Sequence, residues 1–188
     1  MSDESDPLAW ETVDGTIAYS CPGFEVVRER VRLPDGTETD FDSVVDPAAV
    51  VVLGFTPHGE VVVIEEWRQA VKRVSRGLPA GTVEPGEDIE QAARREFEEE
   101  TGYVAEGMER LTTVEPLNGL ADSVHHHFVA HDCRPTGTRE LDDNESIRVG
   151  TAEYDDLLRA LADDDLRDGR SAFCLLYHTR FGTESGVP

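Results

Sequence analysis

The sequence predicts an α/β protein in which a mixed β-sheet is sandwiched between helices. Strand-like apolar runs at Ala48–Phe55 and Val61–Ala70 precede helical patterns, of which the amphipathic segment Asp88–Thr101 is the clearest. The length of 188 residues allows one substantial core and is short for two separate domains. We therefore expect an N-terminal strand region over residues 1–46 and one main domain over residues 47–188.

The chain begins with short strands that should pair in antiparallel fashion. From Phe24 onward it reads as a strand, a turn at Leu33–Gly36 and a second strand, followed by the apolar run that ends at Phe55. The Pro-Asp-Gly sequence of that turn favours a tight reversal of the chain. Short N-terminal antiparallel strands are thus expected in addition to the main sheet.

The helix at Asp88–Thr101 places acidic residues on the face that should point inward. Its apolar residues follow the spacing of a core-facing stripe: Ile89, Ala92, Ala93 and Phe97. On a wheel of about 100° per residue, Glu96 and Glu100 lie within roughly 20° of Ile89, and Glu99 lies at the edge of that face. Gly102 follows the last turn, where a left-handed C-terminal cap favours glycine.

Carboxylates on a half-buried face repel one another and lose hydration unless a cation neutralises them. A solvated acidic surface is the alternative, and it explains the outward-facing Glu90 and Glu98 but not the inward-facing acids. Oxygen ligands select a hard divalent cation, and Mg²⁺ fits best. A cation among carboxylates points in turn to chemistry on phosphate.

Three consecutive histidines, His125–His127, lie within the strand-like segment Val124–Ala130. Because neighbouring residues of a strand point to opposite faces, His125 and His127 should share one side and His126 the other. This alternation argues against a metal site made of all three imidazoles.

Two further amphipathic helices are predicted, at Ala152–Leu161 and Ser171–Phe181, separated by Asp165–Gly169. The last helix is expected to bury an apolar stripe made of Phe173, Leu176 and Tyr177. Together with the helix at Asp88–Thr101, these two helices supply the helical layers of the sandwich.

The net charge of −23 is extreme, and Lys72 is the only lysine beside sixteen arginines. The acids are spread over the whole chain, which disfavours an acidic interaction tail. We interpret this composition as halophilic, that is, as adaptation to a salt-rich cytoplasm where screening relieves self-repulsion. In the absence of a basic stripe, binding to a nucleic acid is not expected.

Other features of the sequence are typical of a cytoplasmic protein. The N-terminal residues Met1–Asp6 are acidic and lack the basic and apolar regions of a signal peptide. No apolar run reaches the roughly 18 residues that a membrane span requires. Cys21, Cys133 and Cys174 are odd in number and lack metal-binding spacing, so we expect reduced thiols.

Residues 81–103 resemble the signature of the Nudix hydrolases. The pattern is Gly, five residues, Glu, seven residues, Arg-Glu, an apolar residue, any residue, Glu-Glu, any residue, Gly and an apolar residue. Every fixed position is matched, by Gly81, Glu87, Arg95, Glu96, Phe97, Glu99, Glu100, Gly102 and Tyr103. The resemblance implies a Nudix-type α/β/α sandwich that cleaves a nucleoside diphosphate linked to another moiety, using Mg²⁺ or alternatively Mn²⁺.

The resemblance also implies roles for single residues. The metal-binding acids would be Glu96, Glu99 and Glu100, and Glu99 is expected to be catalytic as a ligand of the central metal. The backbone carbonyl of Ala80 would be a further ligand. Glu87 and Arg95 would form a structural pair that ties the loop to the helix.

Beyond the motif, residues 15–182 are similar to the ADP-ribose pyrophosphatase branch of this family. That branch implies a homodimer in which the N-terminal strands are exchanged, and it implies substrate contacts by Arg68 and Gly81. It also implies an acidic general base on the loop of residues 139–147, because a water that attacks phosphorus must lose a proton. We favour Glu145 and place Asp143 second; the alternative is that these acids form a solvated turn.

Three positions depart from the branch. Asn118 replaces a proline associated with ADP-ribose specificity, Ser123 lies where a glutamate is usual, and Gly77 replaces a glutamate before Leu-Pro-Ala-Gly. The expected reaction is therefore hydrolysis of the pyrophosphate bond of ADP-ribose or a related nucleoside diphosphate sugar, giving a nucleoside monophosphate and a sugar phosphate. Another sugar nucleotide or a dinucleotide is the alternative substrate. A catalytically silent ligand sensor is a different class of protein, which the complete set of acids disfavours.

Overall fold

The computed structural model describes residues 6–137, 139 and 146–182. Contacts between Cα atoms divide the chain into two compact units. The first unit contains Met1–Pro47 and Glu115–Val124, and the second contains Ala48–Val114 and His125–Pro188. Among the described helices, none combines the length and the apolar character needed to cross a bilayer.

The first unit is a three-stranded antiparallel sheet with strand order β1-β2-β3. Its strands are β1 (Glu11–Ser20), β2 (Glu25–Arg32) and β3 (Glu38–Val45). Gly36 adopts a φ of 86° between β2 and β3, a left-handed conformation that favours glycine. Every residue of β1 is exposed. The predicted N-terminal antiparallel strands are therefore present, but the outermost strand buries none of its side chains within the chain.

The second unit contains a mixed sheet, as predicted. Strand β4 (Ala49–Gly54) runs parallel to β10 (His125–His131) and antiparallel to β7 (Ala80–Thr82), while β9 (Gly107–Val114) is antiparallel to β10. A three-stranded sheet has the strand order β12-β5-β6, formed by β12 (Ile147–Ala152), β5 (Val61–Arg68) and β6 (Arg73–Gly77). The short strands β8 (Tyr103–Val104) and β11 (Arg134–Pro135) pair with each other.

Helices pack on both faces of this sheet. They are α1 (Ile89–Thr101), α2 (Tyr154–Ala162) and α3 (Gly169–Phe181). Strand β4 alternates between two apolar clusters: Val50 and Val52 join the cluster that contains α1, whereas Val51 and Leu53 join the cluster that contains α2 and α3. The α/β/α sandwich predicted from the sequence is thus confirmed.

The ends of α1 lie within one residue of the predicted bounds Asp88–Thr101. The side chain of Asp88 accepts hydrogen bonds from the backbone N–H groups of Glu90 and Gln91, so Asp88 is the N-terminal cap and the helix begins at Ile89. Gly102 closes the helix with a φ of 69°, the left-handed cap expected of glycine.

The two C-terminal helices depart from their predicted bounds and burial. Residue Ala152 belongs to β12, and α3 begins at Gly169 because Asp168 caps it. The predicted apolar stripe is wrong in phase, since α3 buries Cys174 and Leu175 while Leu176 is 58% exposed. The contacts with the sheet set this phase, and the apolar residues on both sides of α3 left the sequence pattern ambiguous.

Candidate functional site

The inner face of α1 carries three glutamates that differ in burial. Glu100 is buried, with 2% of its surface exposed. The side chain of Glu96 is 15% exposed and that of Glu99 is 35% exposed. The exposure of these acids agrees with the helical wheel, which places Glu96 and Glu100 on the inner face and Glu99 at its edge.

Arg95 ties the start of α1 to the preceding turn. Its Nε and Nη2 atoms donate to the two oxygens of Glu87 at 2.9 and 2.8 Å, which is a bidentate ion pair. Glu87 also accepts from the backbone N–H of Glu84 at 3.0 Å. The hydrogen bonds from Arg95 lower the pKa of Glu87 to about 2, despite the opposing effect of burial. This carboxylate therefore stays ionised at neutral pH and holds the turn against the helix.

The same guanidinium contacts two of the predicted metal ligands. Arg95 Nη1 donates to Glu96 and to Glu99, both at 2.9 Å, and Nη2 donates to the carbonyl of Thr82 at 3.1 Å. Its hydrogen bonds to Glu87, and then those to Glu96 and Glu99, raise the pKa of Arg95 above its already high value, although burial opposes the shift. Arg95 is thus the positive charge that keeps these carboxylates together in this structure.

The loop before α1 is fixed by the carboxylates of the helix. The backbone N–H of Ala80 donates to Glu100 at 2.9 Å, and that of Thr82 donates to Glu96 at 3.1 Å. Between them, Gly81 provides space: a Cβ atom there would lie 2.0 Å from a carboxylate oxygen of Glu96. The structure therefore explains the glycine by close packing against Glu96, while its predicted contact with substrate remains a prediction.

Ala80 is oriented toward the acidic face of α1. The N–H of Val52 on β4 donates to the carbonyl of Pro79 at 3.0 Å, so the next residue, Ala80, presents its backbone polar groups to the opposite side. That side is where its N–H meets Glu100. The carbonyl of Ala80 is consequently directed toward the region of the acids, as a metal ligand would require.

The donor set fits a hard divalent cation in chemistry. Carboxylate and carbonyl oxygens are the ligands that Mg²⁺ and Mn²⁺ take, and a carboxylate has about four acceptor sites, so one anchored by the protein can also bind a cation. Within the described ranges, no three acidic, histidine or cysteine side chains already converge into a metal-binding cluster. A cation at Glu96 and Glu99 would therefore share or displace the contacts of Arg95.

Arg68, the predicted substrate contact, lies on β5 beside a buried acid. Its Nη2 atom lies 2.7 Å from Glu66, whose side chain is only 12% exposed. Both line a narrow cleft that also reaches Gly77 and Leu78, at the start of the loop that leads to Ala80. Arg68 is thus held at one end of the loop that carries the candidate metal ligand.

Sequence reasoning missed two polar groups near this loop. Glu66 lies on the same side of strand β5 as the buried residues Val62 and Ile64. The alternation of sides along a strand could therefore have predicted that Glu66 is buried. The second is Ser171, which is fully buried and accepts a hydrogen bond from the backbone N–H of Leu78. No local signal pairs Ser171 with a residue 93 positions away.

The remaining predicted positions are distributed over the chain. Asp143 and Glu145 lie outside the described residues. In the first unit, Asn118 is exposed, and the buried Ser123 donates to Asp46 at 3.3 Å. The histidine run alternates as predicted: His127 is buried against Phe173, with ring centroids 5.0 Å apart.

Comparisons with known proteins agree with this geometry. A family model described as the NUDIX domain matches residues 45–173. An ADP-ribose pyrophosphatase of Bacillus subtilis (strain 168) is 33% identical over 171 residues, which cover 90% of this chain and 92% of that protein. A methanol dehydrogenase activator of Bacillus methanolicus is 31% identical over 148 residues, which cover 78% of this chain and 80% of that protein.

The fold is also shared with solved structures. A crystal structure of an ADP compounds hydrolase superimposes with a TM-score of 0.84 over 97% of this chain and 99% of that one. Sequence identity in this pair is 20%, so the likeness concerns the fold alone.

Proposed function

Because the chain belongs to the NUDIX domain family, we propose that it is a divalent-metal-dependent hydrolase of ADP-ribose or a related nucleoside diphosphate sugar. The products would be a nucleoside monophosphate and a sugar phosphate. The observation that carries this proposal is the acidic face of α1, where Glu100 and Glu96 accept from the loop at Ala80 and Thr82, and Arg95 links Glu96 to Glu99.

The proposed reaction is the attack of water on one phosphorus of the pyrophosphate. A new P–O bond forms from the water oxygen, the P–O bond to the other phosphate breaks, and the water proton passes to a carboxylate. A divalent cation, when bound, would neutralise the negative charge of the phosphate oxygens. We propose Glu96, Glu99, Glu100 and the carbonyl of Ala80 as its ligands, with Mg²⁺ as the physiological ion and Mn²⁺ as a substitute.

Arg68 is the proposed contact for the substrate phosphates. A guanidinium can bind phosphate oxygens through two parallel hydrogen bonds, and the buried carboxylate of Glu66 fixes the direction of Arg68. Substitution Arg68→Lys, which keeps the charge but loses the planar fork, should raise KM with little change in kcat. An unchanged KM would contradict substrate contact by Arg68.

Glu145 is the proposed general base, with Asp143 as the second candidate. Two substitutions separate them, because Glu145→Gln and Asp143→Asn each remove one proton acceptor while keeping size. We expect Glu145→Gln to lose turnover without weakening Mn²⁺ binding, and Asp143→Asn to retain it. The opposite result would assign the base to Asp143, and full activity in both variants would exclude this loop.

A substrate panel tests the proposed function directly. It contains ADP-ribose, ADP-glucose, GDP-mannose, UDP-glucose, NADH and diadenosine polyphosphates, assayed with Mg²⁺ in about 2 M KCl, where charges are strongly screened. Preferential conversion of ADP-ribose to AMP and ribose 5-phosphate is the expected result. Cleavage of another compound would reassign the substrate pocket, whereas tight binding without cleavage would indicate a ligand sensor.

We also propose that the chain is a homodimer in which the N-terminal strands are exchanged. Apolar and aromatic side chains are exposed on the three-stranded sheet of the first unit or directly before its strands, and a second copy would bury them: Trp10, Ile17, Tyr19, Phe24 and Phe41. Sedimentation analysis should give a dimer, and Ile17→Asp should shift it toward monomer, with Thr16→Asp as the control on the same strand. A monomeric wild-type protein would contradict this proposal.

The charge of −23 supports a cytoplasmic protein adapted to high salt. Because substrate and protein are both anionic, salt should lower their repulsion as well as the self-repulsion of the fold. We expect KM to fall and the melting temperature to rise as KCl increases to about molar concentration. Maximal activity in low salt, with a melting temperature indifferent to KCl, would contradict this adaptation.

A further inference from the structure

The N-terminus of α3 contacts the loop that leads to Ala80. The backbone N–H of Leu78, two residues before Ala80, donates to the hydroxyl oxygen of Ser171 at 2.8 Å. Leu78 is 2% exposed and Ser171 is fully buried, so water cannot replace this bond. The N–H of Leu78 would therefore be left unsatisfied if the hydroxyl were removed.

The hydroxyl of Ser171 is itself held in a fixed orientation. It donates to the Asp168 carboxylate at 2.5 Å, and the backbone N–H of Ser171 donates to the same oxygen at 3.1 Å. Asp168 is the N-terminal cap of α3, and Arg170 pairs with its other oxygen at 3.4 Å. Since its proton goes to Asp168, the Ser171 oxygen presents its lone pairs to Leu78.

Gly77 allows this close contact. A Cβ atom at this position would lie 2.7 Å from the Ser171 hydroxyl oxygen and 3.2 Å from an oxygen of Asp168. A side chain at residue 77 would thus push the end of α3 away from the loop. The absence of a side chain at residue 77 and the serine at 171 are therefore two parts of one contact.

The loop is held at three successive residues by three different elements. Ser171 binds the N–H of Leu78 from the α3 side, Val52 binds the carbonyl of Pro79 from the sheet, and Glu100 binds the N–H of Ala80 from the α1 side. If the contact at Leu78 is lost, the loop that carries the carbonyl of Ala80 keeps only its bonds to the sheet and to α1. The orientation of that carbonyl then depends on a loop free to shift by fractions of an ångström.

From these contacts we infer that Ser171, oriented by Asp168, is a positioning residue for the metal-binding loop. This inference rests on the proposed function, because it takes Ala80 and the α1 glutamates as ligands of a divalent cation. Ser171 contacts neither the cation nor the substrate in this scheme. It acts through Leu78 on the direction of the Ala80 carbonyl.

The test is Mn²⁺ binding to the full chain without substrate, measured by electron paramagnetic resonance of free Mn²⁺. Ser171→Ala should raise the dissociation constant about tenfold, because the loop loses its bond at Leu78. Ser171→Thr restores a hydroxyl and should recover most of the affinity. Thr179→Ala removes a hydroxyl from the other end of α3, where Thr179 bonds Leu175 and Tyr154, and should leave Mn²⁺ binding unchanged.

Melting temperatures separate positioning from simple stabilisation. A lower melting temperature in Ser171→Ala with wild-type Mn²⁺ affinity at a temperature well below melting would overturn the inference. If Ser171→Ala does not fold, Asp168→Asn replaces it, since the amide keeps a cap acceptor but holds Ser171 less firmly; about threefold weaker Mn²⁺ binding is then expected. Wild-type affinity in Asp168→Asn would overturn the inference equally.

A failure of the proposed function gives a different pattern. If wild-type protein does not bind Mn²⁺, or if Glu99→Gln binds it as tightly as the wild type, the metal assignment fails. If wild-type protein binds Mn²⁺ and Glu99→Gln does not, while Ser171→Ala matches the wild type, only the role of Ser171 fails.

Discussion

Two regions of the molecule use arginine–carboxylate contacts in contrasting surroundings. On the three-stranded sheet, Arg32 bonds both Glu11 and Glu38, and Arg28 bonds Asp42 with side chains 57% and 49% exposed. On α1, Arg95 bonds several carboxylates, and its own side chain is 27% exposed. Both regions are built from the same two kinds of side chain, and burial is what distinguishes them.

Burial changes what each contact contributes. An exposed pair gains little because water and salt screen both charges, and such pairs typically contribute about 0.2–1 kcal/mol. In a half-buried group, removal of one partner leaves the other charges poorly hydrated and mutually repelling. We therefore expect the α1 cluster to govern activity and stability, and the sheet pairs to matter mainly for solubility in salt.

The largest expected effect is on turnover. Glu99→Gln removes the charge of a proposed metal ligand while keeping its size, and kcat should fall about 10³-fold or more. The measurement is hydrolysis of the best substrate at saturating Mg²⁺.

Glu98→Gln is the matched control, because Glu98 is exposed on the opposite side of the same helix. It should keep wild-type turnover. Comparable losses in the two variants would show that the inner face of α1 has no special role.

Arg95→Met tests the buried cluster for stability. Loss of the guanidinium leaves Glu87, Glu96 and Glu99 without their shared counter-charge, and the free energy of unfolding should drop by about 2–3 kcal/mol. Added Mg²⁺ should restore part of the loss if the acids bind it. Denaturant unfolding with and without Mg²⁺ measures both quantities.

Arg94→Met is the corresponding control. Arg94 pairs with Glu90 at i,i+4 on the outer face of α1, a contact expected to contribute less than about 0.5 kcal/mol. Equal destabilisation by Arg95→Met and Arg94→Met would show that burial does not strengthen the contacts of Arg95.

His127 is a buried titratable group on β10. Both of its ring nitrogens lack a hydrogen-bond partner among the described residues. Burial, with smaller contributions from the nearby His125 and Arg170, lowers its pKa to about 4, although Asp168 opposes the shift. Because the folded pKa lies below the unfolded value, the unfolded state binds the proton first, and stability is lost as the pH falls from about 6.5 toward 4.

His127→Phe should therefore reduce this acid sensitivity. Between neutral pH and pH 5, protonation of this histidine in the unfolded state should lower the free energy of unfolding by about 2 kcal/mol, and the variant should lack that loss. Denaturant unfolding at pH 7 and pH 5 measures it, with the exposed His58→Ala as the control. Identical pH profiles for His127→Phe and the wild type would exclude the effect.

The smallest effect is expected on the three-stranded sheet. Arg28→Ala breaks an exposed pair with Asp42 and should lower the melting temperature only slightly in low salt, with no loss in about 2 M KCl. Thermal unfolding at the two salt concentrations measures it. A cost that persists in high salt would indicate that this pair is buried, for example in a dimer.

Particular elements show how far the sequence reaches. The spacing within α1 predicts its inner acids and its end at Gly102, because each depends on residues within a few positions. The same reasoning misplaces the buried side of α3, where Cys174 and Leu175 face the core and Leu176 does not. The periodicity of a sequence predicts that a segment is helical, but it predicts which face is buried only when the opposite face is polar.

The sequence by itself determined the sandwich, the charged character of the surface and the identity of the acids on α1. Tertiary structure decided which groups those acids meet. Arg95 reaches Thr82, Glu66 is buried beside Arg68, and Ser171 bonds Leu78 across 93 positions. The reason is physical: dihedral preferences and periodicity act over a few residues, whereas these bonds depend on where packing brings distant segments together and excludes water.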